Sequence, residues 1–124
     1  MTAKPKIRHI AIVTLDPERL AQFYVETFGM TRIPAPGAGG SAAKFVTDGY
    51  LTLALLENKA EGKPSGLNHF GFLIDDQEKY AARIAKAGGT PPKKRPADRA
   101  FAETRGTDPD GNMFDLSVRG YDLA

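Results

Sequence analysis

The chain contains only two histidines, and both stand near the start of a short apolar run. His9 lies in "RHIAIV" and His69 lies in "NHFGFLI", 60 positions later. A single histidine at the start of a strand is more often structural than catalytic. The repetition of the pattern favours a shared role, because equivalent strand positions in two similar halves can face one cavity. Two imidazoles in one cavity suit a divalent first-row metal, and such a site also needs a carboxylate.

Asp115 is the candidate carboxylate. It stands between Phe114 and Leu116 in the apolar run "NMFDLS" near the end of the chain. A carboxylate inside a core needs a partner or a metal, which favours a ligand role. The alternation of Met113, Asp115 and Ser117 with apolar residues equally fits a strand whose polar face meets solvent. The pattern alone leaves these two interpretations open.

The elements that must position these residues follow from an internal repeat. A shift of 60 residues aligns "RHIAIVTLDPERLAQFYVETFGMT" with "NHFGFLIDDQEKYAARIAKAGGTP". Each half begins with a short apolar strand, continues with a helix and returns to strands separated by turn residues. The predicted later strands are "MTRI", "KFVTD" and "YLTLALLE" in the first half, and "TPPKK", "AFAETRGTD" and "NMFDLSV" in the second. Each half therefore reads β-α-β-β-β.

The helix boundaries are marked by capping residues. Asp16 is a good N-cap with Pro17 at the first helical position, and Gly29 can end the helix in the left-handed conformation. The second helix is expected to begin near Asp75 or Asp76 and to end at 88–89. Apolar residues at helical spacing are expected to face the core: Leu20, Phe23, Tyr24 and Phe28 in the first helix, and Tyr80, Ile84 and Ala87 in the second.

One domain is expected over residues 1–124, with a first module at about 6–57, a linker at about 58–66 and a second module at about 67–120. The Gly- and Pro-rich segment 33–44 is either a long turn or a lid over a site.

Composition excludes several classes of protein. The 124 residues carry a net charge of +2, and the basic cluster 92–99 lacks interleaved aromatics, so no nucleic-acid partner is expected. The absence of cysteine excludes disulfides and thiolate metal sites. No apolar stretch approaches membrane-spanning length and no signal peptide is recognisable at the N-terminus, so a cytoplasmic protein without a membrane partner is the default expectation.

Four segments together resemble the vicinal oxygen chelate superfamily, which includes glyoxalase I, extradiol dioxygenases, methylmalonyl-CoA epimerase and the bleomycin and fosfomycin resistance proteins. They are "HIAIVTLDPERLAQFYVETFGM", "NHFGFLIDD", "KAGG" and "DPDGNMFDLS". The resemblance covers the whole chain. It implies an α+β fold in which two βαβββ modules form curved mixed sheets around a central cleft that holds the metal.

The resemblance also implies a set of metal ligands. The family's two strand histidines match His9 and His69, and its last-strand acid, usually Glu, matches Asp115. The family's remaining ligand position, often Glu or Gln, falls at Ala54 or, in an alternative alignment, at Leu53, and neither side chain can bind a metal. Glu57 is the nearest acid and is expected to be solvated at a strand end, and Glu103 on the penultimate strand has no assigned position. The expected cofactor is one divalent metal, with Fe(II) favoured and Mn(II), Zn(II) or Ni(II) as alternatives.

Three functions fit this resemblance. The favoured one is a metal-dependent enzyme with dioxygenase-type chemistry on a small oxygenated organic molecule, because a missing ligand leaves a metal position open for O₂. A glyoxalase-like lyase or isomerase is the alternative, and a non-catalytic, drug-sequestering protein is the alternative from another class; a degenerate scaffold with an inert metal site also stays open. Arg8, Arg99 and Arg105 could hold an acidic substrate, although surface arginines are the commoner case. A homodimer is expected, since small family members commonly pair across a two-fold axis.

Overall fold

The computed structural model describes residues 4–34, 42–58, 65–95 and 103–119. Most of the predicted loop 33–44 and of the linker lies outside these residues, as does Arg99. The described ranges form an α+β architecture, as predicted. Its elements in chain order are β1 (Lys6–Thr14), α1 (Pro17–Phe28), β2 (Thr31–Ile33), β3 (Lys44–Thr47), β4 (Thr52–Glu57), β5 (Gly66–Leu73), α2 (Gln77–Lys86), β6 (Thr90–Lys94), β7 (Thr104–Thr107) and β8 (Met113–Ser117).

The eight strands form one curved mixed sheet in the order β2-β3-β4-β1-β5-β8-β7-β6. At its centre β1 and β5 run antiparallel, and each is flanked on its outer side by a parallel partner, β4 for β1 and β8 for β5. The two halves of the chain therefore contribute equivalent halves of the sheet, joined along the two histidine strands. This arrangement confirms the predicted repeat of β-α-β-β-β units.

Local sequence sets the ends of both helices. The Asp16 carboxylate accepts a hydrogen bond from the Arg19 backbone N–H at 3.1 Å, and Gly29 ends α1 with a φ of 70°. Both α1 caps are as predicted, because Gly adopts this left-handed conformation without steric cost. Asp76 caps α2 in the same way, through the Lys79 N–H at 3.2 Å. No helix in the described ranges is long and apolar enough to cross a membrane.

Helix α1 covers the first half of the sheet with a narrower apolar stripe than predicted. Its Ala21 packs with Val46 and Leu55 in a fully buried cluster, and burying such an aliphatic side chain contributes about 1.5–3 kcal/mol. The prediction that Phe23 and Phe28 face the core is wrong, since they are 50% and 68% exposed. Phe23 is two positions after Ala21 and so lies on the opposite side of the helix, whereas Phe28 is the last residue of the helix.

Helix α2 covers the second half of the same sheet face. Tyr80 and Ile84 are half-buried and pack against a cluster of Ile74, Phe114 and Leu116. Ala87, which was predicted to be buried, is exposed because the helix proper ends at Lys86, one residue before it.

The opposite face of the sheet carries the candidate site and is called the cleft face below. Side chains alternate along each strand, so residues next to the core residues point to this face. Leu53 and Leu55 pack against α1, which places Thr52 and Ala54 on the cleft face. In β8 the core residues Phe114 and Leu116 alternate with Asp115 and Ser117, both buried on the cleft face. The same alternation places both histidines there.

Candidate metal centre

His9 reaches the centre of the cleft face because a glycine lies beside it. Strand pairing sets His9 of β1 opposite Gly71 of β5, and Gly71 in turn pairs with Asp115 of β8. A Cβ atom at Gly71 would lie only 1.9 Å from His9 Cε1. The imidazole therefore lies over the glycine backbone and extends toward Asp115, which a side chain at position 71 would prevent.

His69 is held by its neighbour in sequence. The β1–β5 pairing skips Asn68, and the Asn68 Oδ1 lies 2.6 Å from His69 Nδ1. An amide oxygen only accepts hydrogen bonds, so Nδ1 carries the proton and donates it to Asn68. In the neutral ring Nε2 then keeps its lone pair and faces Asp115. This is the tautomer that a metal-binding histidine requires.

Asp115 joins the two histidines. Its Oδ2 lies 3.1 Å from His69 Nε2 and 3.4 Å from His9 Nε2, and the carboxylate is almost fully buried. One ligand atom from each of the three residues lies within 4.8 Å of the others. The interpretation of Asp115 as a residue on a wet strand face is therefore wrong, because the curvature of the sheet buries this face.

Arg105, for which the sequence left open a substrate-binding or a surface position, is a member of this cluster. It lies on β7 directly opposite Asp115. Its Nε donates to Asp115 Oδ1 at 2.6 Å, and its terminal nitrogen Nη2 lies 3.2 Å from both Asp115 Oδ2 and His69 Nε2. The sequence held a signal for this contact, since a tight turn at "DPDGN" sets residues 105 and 115 opposite each other in a hairpin.

The surroundings keep Asp115 charged. Burial by itself raises the pKa of this carboxyl group, but its contacts with the His69 and His9 imidazoles and with the Arg105 guanidinium favour the anion more strongly and hold the pKa well below its usual range. A buried carboxylate at this position therefore attracts cations. Two kinds of cation can satisfy it here, the Arg105 guanidinium and a metal ion.

The strand register settles where the family's remaining ligand position falls. Ala54 pairs with Ala11, while Asp115 pairs with Gly71, the residue 60 positions after Ala11. Ala54 rather than Leu53 is thus the equivalent of Asp115 and offers no ligand atom. Glu57 is exposed at the end of β4 and does not join the cluster, as expected.

Glu103 serves the fold near this site. Its carboxylate accepts hydrogen bonds from the Ser117 hydroxyl at 2.7 Å and from the backbone N–H groups of Val118 and Arg119 at about 3.1 Å. Gln77 of α2 donates to it as well, at 3.3 Å. Glu103 therefore stabilises the end of β8, and its carboxylate oxygens are already engaged by these protein donors.

The residues present fit a divalent metal. Two histidines, one of them fixed in the metal-binding tautomer, and one anionic carboxylate form a donor set typical of first-row metals. Separations of 3.1 and 3.4 Å between the carboxylate oxygen and the imidazole nitrogens match those of adjacent ligands of one ion, about 3.0–3.5 Å for bonds of ~2.1 Å. Thr52 Oγ1 is also buried on the cleft face and has no hydrogen-bond partner among the described residues. It is available to a water or substrate oxygen.

A family model for the Glyoxalase/Bleomycin resistance protein/Dioxygenase superfamily matches residues 6–116. The chain belongs to this superfamily. The match spans both histidine strands and ends just after Asp115, so it includes all three candidate ligands. No curated protein matches the chain in sequence.

Solved structures of this superfamily share the fold. A hypothetical protein from Bacillus halodurans C-125 is 17% identical with a TM-score of 0.68, and the alignment covers 92% of this chain and 94% of that one. Methylmalonyl-CoA epimerase from Mycobacterium tuberculosis is 14% identical with a TM-score of 0.64, over 89% and 85% of the two chains. The 2,3-dioxygenase LapB from Pseudomonas sp. KL28 is 17% identical with a TM-score of 0.67, over 96% of this chain and 43% of that chain. At these identities the likeness concerns the fold.

Gly71→Ala is expected to displace the His9 ring, because the new methyl group would occupy the position of Cε1. The measurement is the imidazole NMR spectrum, which two histidines keep simple, together with the free energy of unfolding, expected to fall by about 1–3 kcal/mol. Gly89→Ala is the control, since its Cβ would meet the Thr107 carbonyl at 2.5 Å, away from the histidines. It should lower stability without moving the His9 signals. Unchanged His9 signals in Gly71→Ala would contradict the assignment.

Glu103 is expected to make stability depend on pH. Although burial raises its pKa, hydrogen bonds from Ser117, Val118, Arg119 and Gln77 lower it to about 2, below the unfolded value of about 4.3. The stabilisation is thus complete above the unfolded pKa and is lost as the pH falls through the folded one. Because solvent screens this partly exposed group, we expect Glu103→Gln to remove about 1–2 kcal/mol at pH 7 and little at pH 2. Urea unfolding across this range tests it, with the exposed Glu57→Gln as control. A constant difference between wild type and Glu103→Gln at all pH values would contradict it.

Proposed function

We propose that this protein is a metal-dependent enzyme that binds one divalent ion through His9, His69 and Asp115 and acts on a small oxygenated organic molecule. The observation that carries the proposal is the buried cluster of two imidazoles and one carboxylate whose ligand atoms lie within 4.8 Å of one another. Both histidines and the acid come from one chain, on the neighbouring strands β1, β5 and β8. The site therefore needs no second subunit, and the expected homodimer stays a separate prediction.

Dioxygenase-type chemistry is favoured over a lyase or isomerase reaction. A set of two histidines and one carboxylate with open positions is typical of non-haem Fe(II) oxygenases, although Mn(II), Zn(II) or Ni(II) can also be bound. When bound, such a metal supplies adjacent positions for substrate oxygen and O₂. Ala54 occupies the position of a further protein ligand, so this chain has no carboxylate there to serve as the base of a glyoxalase-like reaction.

The protein's own groups then hold and orient the substrate. Thr52 lies beside His9 in the strand register, and its unpartnered hydroxyl can donate a hydrogen bond to a substrate oxygen. Phe45 pairs with Ala54 and gives the first half of the cleft face an apolar wall. Burial of the donor residues excludes bulk water, which strengthens every electrostatic contact with the substrate.

One observation favours a second candidate, a metal-free protein that binds small molecules without chemistry. Arg105 already neutralises Asp115 through two hydrogen bonds, so the carboxylate is stable without a metal. Such a protein would use the same cleft face for sequestration. A measurement of metal affinity distinguishes the metal-dependent enzyme from the metal-free binding protein.

Metal affinity is the first test. Isothermal titration with Mn(II) or Co(II) of protein produced without a chelating tag should show one site per chain. His69→Ala and Asp115→Asn should each weaken binding by at least about 100-fold, because each removes a ligand atom. Asp110→Asn is the matched control, since Asp110 is an exposed acid of the adjacent turn. Equal affinity of wild type and Asp115→Asn for the metal ion would contradict the proposed metal site.

The reaction is tested with protein reconstituted anaerobically with Fe(II). In air, a catechol panel should give oxygen uptake and a yellow ring-cleavage product. Ala54→Glu should lower this rate at least about tenfold, because it restores a carboxylate that occupies an open metal position, while Ala54→Val should retain most of it. Thioester formation from a methylglyoxal–thiol hemithioacetal under nitrogen, with Zn(II) or Ni(II), would instead establish the lyase. Inactivity in both assays with tight binding of an apolar ligand would favour the sequestering protein.

A further inference from the structure

Arg105 donates a hydrogen bond to His69 Nε2, the atom through which His69 would bind a metal. The proton on His69 Nδ1 is committed to Asn68, so Nε2 has a single in-plane lone pair. That lone pair accepts the hydrogen bond from Arg105 Nη2 at 3.2 Å. The same lone pair cannot bind an Arg hydrogen and a metal ion at once. Metal binding through Nε2 therefore requires that Arg105 release His69.

The release also gives up the contact between Arg105 Nη2 and Asp115 Oδ2, whereas the contact between Arg105 Nε and Asp115 Oδ1 involves the carboxylate oxygen that does not face the histidines. The guanidinium is planar and moves as one unit, and because the side chain of Arg105 is 21% exposed it has room to shift toward solvent. The guanidinium would then present donors beside the ion, on the side from which a substrate arrives.

A second cation stands next to Arg105. Lys93 on the edge strand β6 pairs directly with Arg105, and residues directly opposite in an antiparallel pair share a sheet face. Like charges in such positions are destabilising in the absence of an anion. Lys94, the next residue, pairs with Thr104 and faces the other way. Lys93 and Arg105 are thus two cations on one sheet face, and the anion that offsets them is Asp115 on the far side of Arg105.

We propose that Arg105 is a displaceable internal cation, which neutralises Asp115 and His69 in the metal-free protein and, once a metal is bound, joins Lys93 in binding the carboxylate of a small organic acid. The proposal rests on the metal site proposed above and adds the charge of the substrate. With a divalent ion in place, the positive charges of ion, Arg105 and Lys93 outweigh the single negative charge of Asp115. An anionic substrate restores the balance.

The two ends of the cleft face differ in a way that fits such a substrate. In the second half Arg105 pairs with Asp115, whereas Phe45 pairs with Ala54 at the equivalent position of the first half. One side is charged and the other is apolar. An organic acid with an apolar body matches both, with its carboxylate toward Arg105 and its body toward Phe45.

The first test titrates Mn(II) alone into the metal-free protein. Arg105→Met keeps an unbranched side chain but removes the competing charge, and it should raise Mn(II) affinity at least tenfold. Arg105→Lys, which keeps the charge, should stay within threefold of wild type. Unchanged or weaker Mn(II) binding in folded Arg105→Met would overturn the competition and make Arg105 an orienting partner of Asp115.

The second test titrates pyruvate and its uncharged methyl ester into the Mn(II)-loaded protein. Pyruvate should bind wild type at least tenfold more tightly than the ester, and Arg105→Met should abolish this preference. Lys93→Met should weaken pyruvate binding at least threefold, whereas Lys94→Met, its control on the other face, should leave it unchanged. Equal affinity of wild type for pyruvate and the ester would overturn the anion site.

A measurement on wild type alone covers the case in which Arg105→Met does not fold. Pyruvate should raise Mn(II) affinity at least fivefold, and Mn(II) should raise pyruvate affinity by the same factor, because coupling between two sites is reciprocal. The absence of coupling would overturn the proposal. If wild type and Arg105→Met both bind no Mn(II), the metal enzyme is the failed hypothesis. In that event pyruvate binding to the metal-free wild type would show an anion site that needs no displacement of Arg105, so the displacement proposal would be overturned whether or not pyruvate binds.

Discussion

A negative charge buried in the sheet determines how the rest of this site is built. Asp115 is almost completely shielded from water, yet the pKa of its carboxyl group lies well below the usual range. An isolated carboxylate in such surroundings would protonate, so the structure must supply positive charge or hydrogen-bond donors from several strands. Arg105 supplies the positive charge from β7, and the two imidazoles adjoin the carboxylate from β1 and β5. Their positions follow from the need to stabilise one anion.

Small residues on the cleft face make this convergence possible. Gly71 leaves room for the ring of His9 to pass over the β5 backbone. The neighbouring residues Ala11 and Ala54 have short side chains that do not fill the space above the sheet. The helix face of the same strands is filled by larger side chains, including Leu55 and Phe114. Each strand therefore uses its two faces differently: one stabilises the fold by close packing, and the other leaves space for a ligand. Some apolar residues take part in neither face, as the exposed rings of Phe23 and Phe28 on α1 show.

The sequence predicted much of this arrangement because the chain repeats itself. A shift of 60 residues paired His9 with His69 and the N-cap Asp16 with Asp76, and the strand register agrees with the histidine pair. The sequence left Ala54 and Leu53 as alternatives opposite Asp115, and the register selects Ala54. The caps could be predicted because they depend on local chemistry. The contact of Arg105 with Asp115 was not predicted because it depends on a neighbour across a hairpin, and an arginine in a short polar strand resembles a surface residue. The burial of Phe23 was predicted wrongly because helical periodicity does not show how a helix is rotated on its sheet, and that of Phe28 and Ala87 because it does not show where the packed part of a helix ends.

The central position of the β1–β5 pair also has a consequence for folding. His9 belongs to the first half of the chain, while His69 and Asp115 belong to the second. Neither half can assemble the three side chains without the other, so the cluster exists only when the two halves have docked edge to edge. Any ligand that holds all three residues would act as a clamp between the halves and slow hydrogen exchange along the β1–β5 ladder. How cooperatively the two halves of the molecule unfold would then depend on which ligand is bound by the three residues.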